Sequence, residues 1–156
     1  MKTSLDAIDR KILKYLIKNA RMPFLEIARE CGISGAAIHQ RIRKLDEAGV
    51  ILGSRLIVDP KMMGFDVCAH ISITLKDPQL LKKTVEELRK VPEIVECHFI
   101  TGTYNLFVKL YCVDNEHLMT TLCDRILAIP GISTTQTYIS LNEAFQRQIY
   151  VDCLHD

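Results

Sequence analysis

The residues best suited to chemistry gather in one stretch, GISGAAIHQRIRKLDEAGVI, residues 32–51. Three cations, Arg41, Arg43 and Lys44, fall within four positions, directly after His39 and Gln40. Guanidinium and amide groups can make paired hydrogen bonds to base edges, and ammonium groups pair with phosphates. At 100° per residue, Ile38, Ile42 and Leu45 lie within about 60° of one another, which is a core stripe. Ala36, Gln40 and Arg43 fall about 140–200° from Ile38, and His39 about 100° from it. One face is therefore apolar, and the opposite face is small at its start and polar or cationic further along. Arg41 sits at the border, where its stem packs inward and an ion pair competes with a phosphate contact.

The distribution of charge sharpens this reading. The 156-residue chain has a formal net charge of only +1. Residues 1–55 hold eleven Lys and Arg against six Asp and Glu, whereas residues 56–156 hold nine against thirteen. A cationic N-terminal module beside an acidic remainder points to a polyanionic partner for the first.

Other chemistries find less support. The six cysteines, Cys31, Cys68, Cys97, Cys112, Cys123 and Cys153, are irregularly spaced and form no CxxC pair. They read as small apolar residues kept reduced rather than as a disulfide framework or zinc site. Cys97 and His98 are adjacent, but neighbouring strand residues point to opposite faces and cannot easily bind one ion. No nucleophile–base pairing or phosphate loop stands out. The expectation is a protein without catalytic residues, metal or cofactor. Hydrophobic residues make up 48% and charged residues 25%, an ordinary globular composition. No apolar run approaches the ~20 residues that span a bilayer, and the N-terminus MKTSLDAIDRK is charged where a signal peptide would be apolar. A cytoplasmic protein is expected.

Two modules must position these residues. Residues 1–50 read as three helices. Ser4 is placed to cap the first, with Leu5, Ile8, Ile12, Leu13 and Leu16 at helical spacing. Pro23 opens a short second helix, FLEIAREC, stopped by Gly32. Ser34 is placed to cap a third that ends near Gly49. A short helix, a glycine turn and a helix with an exposed basic face form a helix-turn-helix pattern. By pattern alone DNA binding is the favoured reading; the alternatives are a solvated face on a helical hairpin and a three-helix dimerisation cap. Residues 51–63 form a linker with a strand-like stretch that ends at Asp59-Pro60.

From Phe65 to Leu75 the period becomes two, as in a half-buried strand. Asp77-Pro78 starts a helix bearing Leu81, Val85 and Leu88. Strands follow at 94–101 and 104–112, joined by the tight turn Thr101-Gly102-Thr103. Asp114 caps a helix with Leu118, Leu122, Ile126 and Ile129, and 132–141 is the last strand. The order β-α-β-β-α-β defines an α+β, ferredoxin-like domain over 64–156. The phrases Val91-Pro92-Glu93-Ile94 and Ile129-Pro130-Gly131-Ile132 echo one another as two related halves would. Ile100, Phe107, Tyr111 and Tyr138 are placed on the sheet face away from the helices, a surface for self-association. Residues 143–156 are an extension of no assigned structure.

Together the modules resemble the Lrp/AsnC, or feast/famine, family of transcriptional regulators. The matching residues are LDAIDRKIL (5–13), Arg21, EIARECGIS (26–34), RIRKLDEAGVI (41–51), ECHFITGTYN (96–105) and IPGISTTQTYI (129–139). The resemblance implies a winged helix-turn-helix for double-stranded DNA and a ferredoxin-like, RAM-type domain that senses a small molecule, usually an amino acid. It also implies homodimers that assemble into octamers. DNA contacts are then expected from Ser34, Gly35, Ala36, His39, Gln40, Arg43 and Lys44. Effector contacts carry over to Gly102, Thr103, Tyr104 and Asn105 on the turn, and to Thr134, Thr135 and Gln136. The sequence departs from the family here. The usual turn reads Gly-Asp-x-Asp, and Thr103 and Asn105 replace both carboxylates. Family members also often carry Pro where this chain has Gly35. The competing reading is a small-molecule-binding or assembly protein that has lost DNA binding, which the N-terminal cationic excess opposes.

Overall fold

The computed structural model describes residues 4–151. They divide into two compact units, residues 4–57 with 145–151 and residues 58–144.

The first unit is built from α1 (Ala7–Lys18), α2 (Phe24–Cys31) and α3 (Gly35–Glu47). Its core is Ile12, Ile27, Ala28, Ile38 and Ile42, flanked by Ile8, Leu16, Phe24 and Ile33. The cap of α1 is Asp6 rather than Ser4. Its side chain accepts from the Asp9 N–H while the Asp9 side chain accepts from the Asp6 N–H, a reciprocal capping box. A carboxylate at this end also complements the helix dipole. Pro23 stands just before α2, in the cap position, and Gly32 ends that helix at φ 66°, a conformation that costs glycine little.

Residues 51–58 form no strand in this chain. Leu52, Leu56 and Ile57 are exposed; with no neighbouring segment to complete a ladder, strand-like side chains alone do not make a strand. The tail also departs from expectation. Residues 145–151 belong with the helical unit, where Val151 is buried against Leu13 and Leu45. One apolar side chain filling a gap between α1 and α3 is a signal too short for periodicity to show.

The second unit contains β1 (Val67–Leu75), α4 (Leu81–Leu88), β2 (Ile94–Phe99), β3 (Leu106–Cys112), α5 (Asn115–Thr120) and β4 (Ile132–Ser140). The strands form one antiparallel sheet in the order β2-β3-β1-β4. Ala69, Ile71, Ile73 and Leu75 of β1 and Leu106, Val108, Leu110 and Cys112 of β3 point to one face. There they pack with Leu88 of α4 and with Leu118, Ile126 and Ile129. Alternation leaves the other face to His70, Ser72, Phe107, Lys109 and Tyr111. Beyond Thr120 the chain winds as a π-helical segment, Thr121–Ile126, rather than continuing as α-helix; the Leu127 N–H bonds Leu122 O at 2.9 Å, five residues back.

The two echoing phrases have the same local geometry. Val91 N–H bonds Leu88 O and Ile94 N–H bonds Val91 O, at 3.0 and 3.1 Å. Ile129 N–H bonds Ile126 O and Ile132 N–H bonds Ile129 O, at 3.1 and 3.3 Å.

Candidate functional site

The exposed face of α3 carries most of the residues singled out for nucleic-acid contact. Ser34 is the N-cap, its Oγ accepting from the Ala37 N–H at 3.2 Å, which leaves the hydroxyl proton free to point outward. Ser34, Ala36, His39, Gln40, Arg43 and Lys44 are exposed, and Ile38, Ile42 and Leu45 are buried on the reverse side. Gly35 is half-buried: a Cβ there would lie 2.9 Å from Leu25 Cδ2. Glycine thus lets α2 and α3 approach closely at the turn. The His39 ring meets Phe24 edge-on, 5.4 Å between centroids, which braces it on the α2 side.

Arg41 takes a different role. Its Nη1 donates to Asp6 Oδ2 at 2.6 Å and to Asp9 Oδ1 at 2.7 Å. Asp9 is buried, so this guanidinium neutralises an interior carboxylate and ties α3 to the start of α1. The Asp9 N–H, and next Arg41, hold the Asp6 carboxyl below its usual range. Of the three cations in the opening stretch, two are therefore directed outward.

In the second unit the turn residues sit at one end of the sheet. Gly102 has φ 119°, a left-handed value that suits glycine, and Thr103 is exposed. Asn105 is bound into the framework. Its N–H bonds Ile73 O at 2.9 Å, its Oδ1 accepts from the Leu75 N–H at 2.8 Å, and its carbonyl accepts from the Ile100 N–H at 3.2 Å. The Tyr104 hydroxyl donates to Gln136 Oε1, which joins the turn to β4. Gln136 lies opposite Ser72 and Thr134 opposite Thr74, on the open face. Thr135 lies opposite Ile73, whose side chain is in the core, so Thr135 projects to the helix-covered side, away from Tyr104 and Gln136.

Beside the Tyr104–Gln136 pair lies a shallow groove lined by His70, Ser72, Ile100, Tyr104, Phe107 and Tyr138. His70 stacks on Phe107 at 5.6 Å. Ile100, Phe107 and Tyr138 were legible as open-face residues; His70 and Ser72 were the polar half of the β1 alternation and carried no separate signal. Further along the same face Lys109 is buried, with Nζ 3.0 Å from Glu143 Oε2 and 5.3 Å from the Tyr111 ring centroid. Burial works against its charge, but the contacts with Tyr111 and Glu143 outweigh this and push its pKa up. No group of three metal-ligating side chains lies together among the described residues, and none of their helices is long and apolar enough to cross a membrane.

Comparison with known proteins follows this division of the chain. The profile of a winged helix-turn-helix DNA-binding domain matches residues 5–51, and that of the Lrp/AsnC ligand binding domain matches residues 66–150. Regulatory protein AsnC of Haemophilus influenzae is 36% identical over 146 residues, 94% of this chain and 97% of that protein. The structure of E. coli AsnC superposes with a TM-score of 0.89 at 35% identity, covering 94% of this chain and 99% of that one. A feast or famine regulatory protein from M. tuberculosis, solved in complex with L-methionine, superposes with a TM-score of 0.88 at 25% identity, covering 95% and 99%. A DNA-binding helix-turn-helix joined to a ligand-binding sheet domain defines a transcriptional regulator, not an enzyme. The chain belongs to the Lrp/AsnC family.

Proposed function

We propose that α3 enters the major groove of double-stranded DNA, with Gln40 and Arg43 at base edges and Ser34 and Lys44 at phosphates. Gly35, Ala36 and His39 form the surface of closest approach. The observation that carries this reading is the exposure of Gln40 and Arg43 directly opposite the buried Ile38, Ile42 and Leu45. Arg43→Ala tests it, in binding assays on duplexes enriched by the wild-type protein. Removing a base contact of this kind costs ~1–3 kcal/mol, roughly 5- to 150-fold in affinity. An equal reduction on every duplex would make Arg43 a phosphate contact instead. Unchanged affinity in a folded variant would remove it from the reading surface.

The small molecule that fits the second unit is an amino acid or a related carboxylate, and the L-methionine complex of the M. tuberculosis relative supports this class. The site is formed by Gly102, Thr103, Tyr104, Thr134 and Gln136, with Asn105 shaping the turn from behind. None of these residues carries a carboxylate, so an ammonium group would meet neutral acceptors, which bind it less strongly than a charged partner does. Free α-amino acids are therefore expected to bind more weakly than at a turn bearing aspartates. Calorimetry with the twenty amino acids, repeated on Thr103→Ala and Gln136→Ala, tests the assignment. Tight binding that survives both substitutions would place the ligand elsewhere.

Two copies pair through the open sheet face, and the dimers assemble further into octamers in the cytoplasm. The exposed apolar groove around Ile100, Phe107 and Tyr138 supports pairing, since such surfaces normally meet a partner.

A further inference from the structure

The reading face of α3 is uneven along its length. Its middle and far end carry Gln40, Arg43 and Lys44, whereas the helix begins with Gly35, Ala36 and Ala37. The polar side chain next to these, Ser34, is engaged as the helix cap. Ala36 is exposed and lies about 40° from Gln40 and about 20° from Arg43 around the helix, so it belongs to the same face. At its N-terminal end this face therefore offers a base edge an apolar surface in place of side-chain donors and acceptors.

Helix α2 extends that surface. Leu25 is 59% exposed and falls about 160° around α2 from the buried Ile27. Single exposed aliphatic side chains are common on protein surfaces, but this one has a defined seat. Its Cδ2 is 2.9 Å from where a Cβ on residue 35 would stand, so the leucine rests against the Gly35 backbone, and a side chain at 35 would displace it. Beside it Phe24 packs edge-on against His39, 5.4 Å between ring centroids. Gly35 and His39 share one flank of α3, about 60° and 100° from Ile38. The first turn of α2 thus borders the reading face, and Leu25, Gly35 and Ala36 make one apolar surface at its N-terminal end.

We propose that Leu25, with Gly35 and Ala36, determines specificity for a thymine by packing against its 5-methyl group in the major groove. The inference rests on the assignment of α3 as the reading helix. Chemistry selects the group recognised. Every base pair presents hydrogen-bonding atoms in the major groove, and thymine alone adds a methyl group. A surface without donors or acceptors gains by burying that methyl, and loses by stripping water from amino and carbonyl groups that it cannot satisfy. Ala36 precedes Gln40 by four residues, about 6 Å along the axis, which is close to two base steps of ~3.4 Å. With α3 lying along the groove, the thymine is about two base pairs from the pair that Gln40 contacts.

The test uses the full-length protein and duplexes enriched by it, in which each thymine in turn is replaced by deoxyuridine. That change removes the 5-methyl group and leaves every hydrogen-bonding atom in place. The expected result is a loss of about 4-fold in affinity at one thymine of the half-site, the value of one buried methyl group. Leu25→Ala should bind the thymine duplex more weakly by a similar factor and should no longer distinguish thymine from uracil at that position, so that the two changes are not additive. Leu25→Met, which keeps an apolar side chain of similar size, should retain the discrimination, and thermal melting checks that both variants fold. A preferred half-site without a thymine there would overturn the proposal, as would wild-type indifference to uracil at every position. So would an equal thymine-to-uracil ratio for wild type and Leu25→Ala, or a uniform loss of affinity on all duplexes, which would make Leu25 a brace for α3 alone. Failure of the α3 reading would show separately, as indifference of affinity to Arg43→Ala.

Discussion

Arg41 and Arg43 are two positions apart, yet the structure gives them different work. The Arg41 side chain reaches Asp6 and the buried Asp9, whereas Arg43 is exposed. Arg41→Gln removes the cation and leaves the Asp9 carboxylate without its charged partner. Breaking a buried pair from one side costs several kcal/mol, and partial exposure of Arg41 reduces this to about 2–3 kcal/mol here. Urea unfolding of Arg41→Gln should show a destabilisation of that size, and Arg43→Ala should stay within about 0.5 kcal/mol of wild type. Acid should act on the same cluster. The Asp6 carboxyl is held below its ordinary value, so the stability it contributes is complete above the unfolded carboxylate value, ~3.9, and is lost as pH falls through the lower folded value. Glu93 behaves likewise in the second unit. Burial there raises its pKa, but its own backbone N–H, His117 and Arg125 outweigh that, so its pKa falls. Melting temperature should therefore decline below about pH 4, and Asp6→Asn should make the decline of the helical unit shallower. An unchanged acid profile for Asp6→Asn would show that the cap carboxylate contributes nothing to it.

Among the elements, the two Pro-containing turns show how one device serves two positions with different demands. At Val91–Ile94 the residue after Pro92 is Glu93, whose carboxylate accepts from Arg125 at 2.8 Å and lies 3.0 Å from His117 Nε2. At Ile129–Ile132 the same place is taken by Gly131, at φ 106°. A Cβ there would lie 2.8 Å from Leu80 Cδ1 and 3.3 Å from Leu80 Cβ. Backbone conformation and packing both require glycine. Gly131→Ala should destabilise the sheet unit by about 2 kcal/mol, seen as a lower urea midpoint with an unchanged slope. Wild-type stability would mean that the turn relaxes to a negative φ. Asn105 illustrates the same economy in a loop: one side-chain oxygen caps the Leu75 N–H where the β1–β4 register shifts.

For the whole molecule, the question is what covers the open face of the sheet. That face presents the Ile100–Phe107–Tyr138 groove, with Lys109 buried beside it under Glu143. Pairing of two copies there predicts a dimer or a multiple of it by light scattering, and Phe107→Asp should shift the population toward smaller species by placing a charge in an apolar interface. A wild-type monomer would refute the pairing. A dimer also carries two α3 helices related by a two-fold axis, so footprints should form an inverted repeat with half-site centres ~10 bp apart or a multiple of that. A single asymmetric half-site would contradict it.

Much of this architecture was legible from periodicity and punctuation. The i, i+4, i+7 spacing of Ile38, Ile42 and Leu45 determines which face of α3 is buried, and so which side chains remain outward. The period-two run of β1 similarly decides which residues build the core. Gly32, Ser34 and Asp114 mark element ends because stopping and capping are local backbone chemistry. Tertiary structure alone decided what depends on residues distant in sequence. Arg41 became an ion-pair partner because α1 brings Asp6 and Asp9 within hydrogen-bonding distance. Thr134 and Thr135 parted because β1 fixes the register of β4, and one step along a strand changes the face. Residues 51–58 have strand-forming side chains but no ladder, and Val151 folds back onto Leu13 and Leu45 through packing that no local pattern encodes. In each case the deciding energy lies in pairing between segments, which composition and spacing within one segment do not contain.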